Sequence, residues 1–136
     1  MLKRHDDWPS RLHAFVRARA SMPYAYTTND CASFCQAAIL EMTGVDVMPD
    51  VVKPTSGIAA VRWLIANGYG DAEGLAAGIL GAPLETARLA GRGDVVSFEM
   101  EGERHLAVVT GADAATPGPQ GIVWVPRDQW INGWRV

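Results

Sequence analysis

The apolar residues in the first half of the chain recur with a helical period. From Cys31 onward they fall at i, i+3, i+4, i+7, i+8 and i+11, which is typical of one buried helix face. Asn29 and Asp30 stand just before this stretch and are good N-cap residues, and Gly44 suits the position after a helix C terminus. The same period predicts two more helices, at residues 9–20 and 55–67, and residues 75–80 are expected to form a short, glycine-interrupted helix or a turn. In the helix at 55–67, the residues expected to face inward are Ile58, Val61, Leu64 and Ile65.

The second half of the chain has a different pattern. From Arg92 onward the segments are extended and rich in β-branched residues, which is typical of strands. Strands are predicted at 94–100, 105–111 and 121–126, with a last short strand ending in Trp134 and Val136. "EGE" at 101–103 suits a hairpin turn, and residues 116–121, with two prolines and two glycines, are expected to be a loop. Helices followed by an antiparallel sheet predict a single α+β domain over residues 1–136.

Composition excludes several classes of protein. Hydrophobic residues make up 49% of the chain and charged residues 20%, which is typical of a folded domain. The net charge is −3 and the basic residues are scattered, which argues against nucleic acid or a membrane surface as a partner. No long apolar run follows the basic residues near the N terminus. We therefore expect no signal peptide and no membrane span, and synthesis in a bacterial cytoplasm.

The two cysteines, Cys31 and Cys35, are four residues apart on one predicted helix. The geometry of a disulfide across one helical turn is poor, so two free thiols are expected. A C-x-x-x-C pair without further ligands nearby is also a poor zinc site. The sequence therefore indicates no metal and no organic cofactor.

Cys31 admits two interpretations. Free cysteine is among the most buried residue types, so Cys31 can be a packing residue of the helix stripe. Its place in the first helical turn also favours a nucleophile, since the unpaired N–H groups there stabilise a thiolate and can form part of an oxyanion hole. A nucleophile needs a base. His5 and His13 lie where a solvent-exposed side chain is expected, whereas His105 opens a predicted strand.

Three short motifs resemble those of a known family. Pro23, Tyr24, Ala25 and Tyr26 precede Asn29-Asp30-Cys31; "GDVVSF" follows at 93–98 and "HLAVVTG" at 105–111. Their order and spacing resemble the NlpC/P60 group of papain-like cell-wall peptidases. The resemblance is greater still to compact relatives encoded among phage, prophage and gene-transfer-agent tail genes. It covers about residues 20 to 125 and implies a papain-like fold with N-terminal helices packed on a C-terminal antiparallel sheet.

The resemblance also implies roles for residues. Cys31 would be the nucleophile and His105 the general base, while Tyr24, Tyr26 and Asp30 would shape the substrate pocket, with Asp30 also capping the helix. The family places a third polar residue on the next strand to orient the imidazole. At that position this sequence offers Thr116, with a backbone carbonyl or Gln120 as alternatives. The aromatic segment also lacks the tryptophan and glycine of the family pattern.

Three functions follow as expectations. The first is a cysteine hydrolase that cleaves an amide in peptidoglycan stem peptides, working with phage-type tail proteins during wall penetration. The second is a structural or assembly protein of a tail tip that kept the fold and turns over little or no substrate. The third is a thioesterase or amidase that acts on a small metabolite. The sequence identifies neither the bond cleaved nor the oligomeric state.

Overall fold

A computed structural model of the chain describes residues 2–51 and 53–136. Helices come first and an antiparallel sheet follows, as the sequence predicts, and the sheet has five strands, one more than predicted. The helices are α1 (Trp8–Arg19), α2 (Cys31–Thr43), α3 (Gly57–Ala66) and α4 (Ala72–Leu80). The strands are β1 (Val95–Met100), β2 (Glu103–Val109), β3 (Asp113–Gly118), β4 (Gly121–Pro126) and β5 (Gly133–Trp134), in the spatial order β4-β3-β2-β1-β5.

Helix α2 is the central helix, and both of its ends are fixed by local chemistry. The Asp30 carboxylate accepts a hydrogen bond from the Ser33 N–H at 2.7 Å, which caps the N terminus. Gly44 follows the last turn with φ of 76°, a left-handed conformation that glycine adopts without strain. Its apolar stripe, including Phe34, Ala38 and Met42, is buried. The predicted helix and both of its boundary signals are confirmed.

The sheet packs on both faces. Its helix face carries Val95, Leu106 and Val108, which pack with the stripe of α2 and with Leu12 of α1. Its far face carries Val96, Phe98, Ala107 and Val109, which are covered by Ala87, Ala90 and Trp130. Because side chains alternate along a strand, neighbouring residues of β2 belong to different halves of the core.

The predicted inward face of α3 is wrong. Ile58 and Ile65 are 69% and 64% exposed, Val61 is exposed as well, and of the predicted set Leu64 is the one that is half-buried. Apolar residues surround this helix on all sides, so periodicity cannot identify the buried face. The structure turns Ala60, Trp63 and Leu64 toward the body of the protein.

The predicted loop at 116–121 is also wrong in part, since β3 runs through Gly118 and the turn is Pro119–Gln120. Proline is unfavourable in a central strand because it lacks an N–H. Pro117 is tolerated because β3 pairs with β2 only at Ala114 and Ala115, so no ladder hydrogen bond to β2 is lost. This strand was not predicted because its proline and glycine residues are typical of a loop.

Asp94 is the last residue of the turn Arg92-Gly93-Asp94 ("RGD"), and it ties the two ends of the described chain to the sheet. Its carboxylate is fully buried and accepts hydrogen bonds from Arg4 at 2.9 Å, the Gly91 N–H at 2.9 Å, the Val136 N–H at 2.9 Å and Arg135 at 3.3 Å. Arg4 also stacks on the Trp8 ring, 4.2 Å from its centroid. Within residues 2–51 and 53–136, no helix combines the length and apolar character needed to cross a membrane.

Candidate functional site

The turn before α2 is built by side-chain hydrogen bonds to the backbone. Buried Asn29 donates to the carbonyls of Met22 and Pro23, and Arg19 donates to its side-chain oxygen at 2.9 Å. Asp30 accepts from the Thr27 N–H at 3.1 Å as well as from α2. The predicted capping role of Asp30 is confirmed, and the turn holds Cys31 as the first residue of the helix.

Thr27 connects this turn to the segment before α3. It has φ of 80°, a conformation that costs a residue with a side chain energy unless the surroundings enforce it. Its hydroxyl donates to the Pro54 carbonyl at 2.9 Å, and its own carbonyl accepts from the Ser33 hydroxyl at 3.1 Å. These bonds fix the turn against both α2 and the chain that leads into α3.

Cys31 meets the sheet where β2 and β3 separate. The two strands pair at Val108–Ala115 and Val109–Ala114. Leu106 lies beyond that ladder: its carbonyl accepts from the Thr116 hydroxyl at 2.8 Å, and its N–H lies near the Cys31 sulfur. Since the Leu106 nitrogen is bonded to the carbonyl carbon of His105, the thiol lies beside the peptide that joins His105 to Leu106.

Burial keeps Cys31 in its thiol form. Loss of hydration is the main cause that raises the pKa of this half-buried thiol, the nearby Asp30 carboxylate also raises it, and the net value is about 11. The N–H groups of Leu106, Ala32 and Cys31 itself act in the opposite direction. The stabilisation expected at a helix N terminus is therefore present, but the cost of burying a charge exceeds it.

Cys31 opens onto an apolar pocket of about 110 Å³. The pocket lies between the start of α2, the residues Met48, Val51, Lys53 and Pro54, and the helices α3 and α4. Tyr24, Tyr26 and Asp30 all line it, so the structure brings the predicted substrate residues together with the cysteine. The further lining residues are Ala32, Ser33, Met48, Val51, Lys53, Pro54, Ala60, Trp63, Leu64, Ala72 and Leu75.

Two tyrosines form one side of this pocket. Their rings meet edge to face with centroids 5.2 Å apart, and burial raises the pKa of Tyr24 well above its usual value. A Cβ atom at Gly57, the first residue of α3, would lie 2.8 Å from the Tyr26 hydroxyl oxygen. Gly57 thus allows α3 to begin directly against Tyr26. Sequence analysis missed Trp63, Leu64 and Leu75, since only the fold brings α3 and α4 to the cysteine.

His105 adjoins Cys31 through its backbone, while its ring lies elsewhere. The imidazole stacks on Phe98 with centroids 5.6 Å apart, and Phe98 belongs to the far face of the sheet. Within the described residues, neither ring nitrogen of His105 forms a hydrogen bond to another side chain or to the backbone. His5 and His13 are exposed, as predicted. The structure therefore brings Cys31 and the His105 main chain together but not their functional groups.

Thr116 has a different role from the predicted one. It is 4% exposed, and its hydroxyl donates to the Leu106 carbonyl rather than to the imidazole. The prediction that Thr116 orients His105 through its side chain is therefore corrected. The physical reason is the strand separation: Leu106 has no partner in the β2–β3 ladder, and the threonine hydroxyl satisfies its carbonyl.

Comparison with known proteins identifies a family without a described activity. The family model named "Domain of unknown function (DUF6950)" matches residues 3–136. The chain belongs to that family. No curated protein matches the chain. Within the part of the chain that the structure describes, no group of three or more His, Cys, Asp or Glu side chains could hold a metal ion.

Proposed function

We propose that this member of the family is a papain-like cysteine hydrolase of the NlpC/P60 type, which cleaves an amide in peptidoglycan stem peptides as part of a phage-type tail. The observation that carries the proposal is the position of Cys31. Its thiol is at the N terminus of α2, beside the His105–Leu106 peptide, and it opens onto a pocket with two tyrosines. The choice of substrate and the tail context rest on the sequence resemblance.

The proposed reaction starts from a neutral thiol. For His105 to act as the base, its ring has to leave Phe98 on the far face of the sheet and reach the side of β2 on which Cys31 lies; it then takes the thiol proton while the sulfur attacks the amide carbonyl. The first N–H groups of α2 have no carbonyl partner within the helix and face the developing oxyanion. His105 then protonates the leaving amine, a thioester forms on Cys31, and water hydrolyses it to a carboxylic acid and the free thiol.

A digestion assay tests this function. Purified peptidoglycan is incubated with the native protein, and newly exposed amino groups and soluble muropeptides are measured by mass spectrometry. We expect release by the native protein and by Cys35→Ala, and a loss of at least a hundredfold in Cys31→Ala and His105→Ala. Cys35 is buried one turn further along α2, so its substitution controls for loss of a thiol from the helix. Equal release by native protein and Cys31→Ala would contradict the proposal.

The second candidate is an assembly protein that kept the fold with little or no activity. Two observations favour it. Burial raises the pKa of Cys31 to about 11, and the Thr116 hydroxyl donates its hydrogen bond to the Leu106 carbonyl instead of to His105. For such a protein, no release of peptides is expected from any variant. Tail assembly, scored by electron microscopy of particles, would be unaffected by Cys31→Ala.

A further inference from the structure

The pocket beside Cys31 has the size and lining of a site for a compact apolar group. It encloses about 110 Å³. A cavity of about 150 Å³ lined by aliphatic and aromatic side chains stays dry and binds benzene. By the same measure this pocket holds a group of about four to six carbons. Water gains few hydrogen bonds in such a space, so displacing it with an apolar group is favourable.

The charged residues of the pocket do not change this preference. Both oxygens of the Asp30 carboxylate already accept N–H groups, from Thr27 and Ser33. Lys53 is half-buried and near Asp46, whose pKa is lowered mainly by the hydrogen bond from Gln36 and to a lesser extent by Lys53. The side chains that remain, among them Trp63, Leu64 and Leu75, offer apolar surface.

A buried acceptor that has no donor among the described residues lies next to the pocket. A smaller cavity of about 30 Å³ shares Ala32, Met48 and Leu75 with the pocket, so the two spaces adjoin. Gln36 lines it and is 8% exposed. Its amide nitrogen donates to Asp46 and to the Met48 carbonyl, while its oxygen has no donor within the described residues. An uncharged acceptor at this inner end is unfavourable for a carboxylate.

We propose that the pocket binds an uncharged, apolar group of about four to six carbons next to the Cys31 sulfur. This preference depends on the shape and lining of the pocket. It goes beyond the proposed function, since the acyl-side residues of stem-peptide amides carry a methyl group or a charged side chain. The pocket is expected to exclude charged groups of similar length.

Thiol-specific reagents test this preference without requiring catalysis. Alkyl methanethiosulfonates transfer an S–R group to a thiolate: a disulfide to Cys31 forms, the S–SO₂ bond breaks, methanesulfinate leaves, and the thiol proton goes to solvent. The R groups are methyl, butyl, benzyl, 2-aminoethyl and 2-sulfonatoethyl. Each rate at Cys31 is measured by mass spectrometry with fragmentation, on the native full chain, and is divided by the rate of the same reagent with glutathione.

We expect normalised rates for butyl and benzyl at least fivefold above methyl, and both charged reagents below methyl. A butyl advantage below fivefold, or a charged reagent as fast as butyl, would overturn the proposal. Rapid reaction of the sulfonate in particular would mean that Lys53 makes the pocket an anion site.

Two variants of α3, each with one alanine replaced by leucine, test whether the preference for the butyl reagent arises in the pocket. Ala60 lines the pocket, whereas Ala66 is exposed at the end of the same helix and does not. Ala60→Leu is expected to reduce the butyl advantage to less than twofold, and Ala66→Leu to leave it unchanged, with thermal unfolding confirming that both variants fold. An unchanged advantage in folded Ala60→Leu would contradict the proposal. Selective labelling without release of peptides from peptidoglycan would reject the hydrolase function while supporting the pocket assignment.

Discussion

At the scale of single residues, the ionisation of Cys31 depends on two opposing effects. The N terminus of α2 directs N–H groups at the sulfur, and burial removes the water that would stabilise a thiolate. Burial dominates, and the adjacent Asp30 carboxylate adds to it. A resting thiol of this kind needs a base at the moment of attack, so the proposed hydrolase function depends on where the His105 ring lies.

Substituting Asp30 separates its charge from its capping role. Asp30→Asn removes a carboxylate that raises the pKa of Cys31, so we expect that pKa to fall. Asparagine is also a good N-cap, so stability should change by less than about 0.5 kcal/mol, whereas Asp30→Ala should cost about 1 kcal/mol. The measurements are Cys31 alkylation against pH and denaturant unfolding. A rise in the Cys31 pKa of the asparagine variant would contradict this account.

At the scale of elements, the separation of β2 from β3 creates the site. The gap leaves the Leu106 backbone outside the ladder, so that Cys31 and Thr116 can approach it from two directions. Helix α3 completes the pocket from outside, although it contributes no buried residue to the core. The elements around the cysteine are thus held by a few specific contacts rather than by extensive packing.

Substitutions of Thr116 test how much its hydrogen bond to the Leu106 carbonyl stabilises the place where β2 and β3 separate. Thr116→Val keeps the shape of the side chain and leaves the buried Leu106 carbonyl without its donor, so we expect a loss of about 1 to 2 kcal/mol in the free energy of unfolding. Thr116→Ser keeps the hydroxyl but loses the methyl group, so it shows how much stability comes from the packing of the side chain rather than from its hydrogen bond. Urea unfolding of the three proteins gives the comparison. If the valine variant were as stable as the native protein, the hydrogen bond would not hold the strands.

Sequence analysis succeeded where one element carries its own signals. Helix α2 has a stripe, a cap and a terminal glycine, and the turn before it contains Tyr24, Tyr26 and Asp30, which all line the pocket. It failed where the answer depends on the fold. The orientation of α3, the strand β3 and the partner of Thr116 are set by which surfaces meet, and local patterns do not contain that information.

At the scale of the whole molecule, Asp94 fixes the segments near both ends of the described chain. A fully buried carboxylate is costly unless its hydrogen bonds are satisfied, and here Arg4, Arg135 and two backbone N–H groups satisfy it. Asp94 therefore ties together the segment before α1, the start of β1 and the chain after β5. The "RGD" turn has a structural role in this molecule.

Removing the charge of Asp94 should destabilise the entire domain. Asp94→Asn leaves the Arg4 guanidinium, itself partly buried, without its counter-ion, and we expect a loss of about 3 kcal/mol. The matched control is Asp7→Asn, which breaks an exposed ion pair with Arg11 and should change stability far less. Thermal or urea unfolding measures both. Equal effects of the two substitutions would show that Asp94 does not have this role.

The central claim is that Cys31 reacts with help from His105. It is tested most directly by the rate of Cys31 alkylation by iodoacetamide against pH, resolved by mass spectrometry, in the native protein and in His105→Ala, with Cys35 as the internal reference. The account predicts that native Cys31 reacts at neutral pH at least tenfold faster than Cys31 of His105→Ala, because only the native protein has a base that can take the thiol proton during attack. Identical profiles in the two proteins would contradict it.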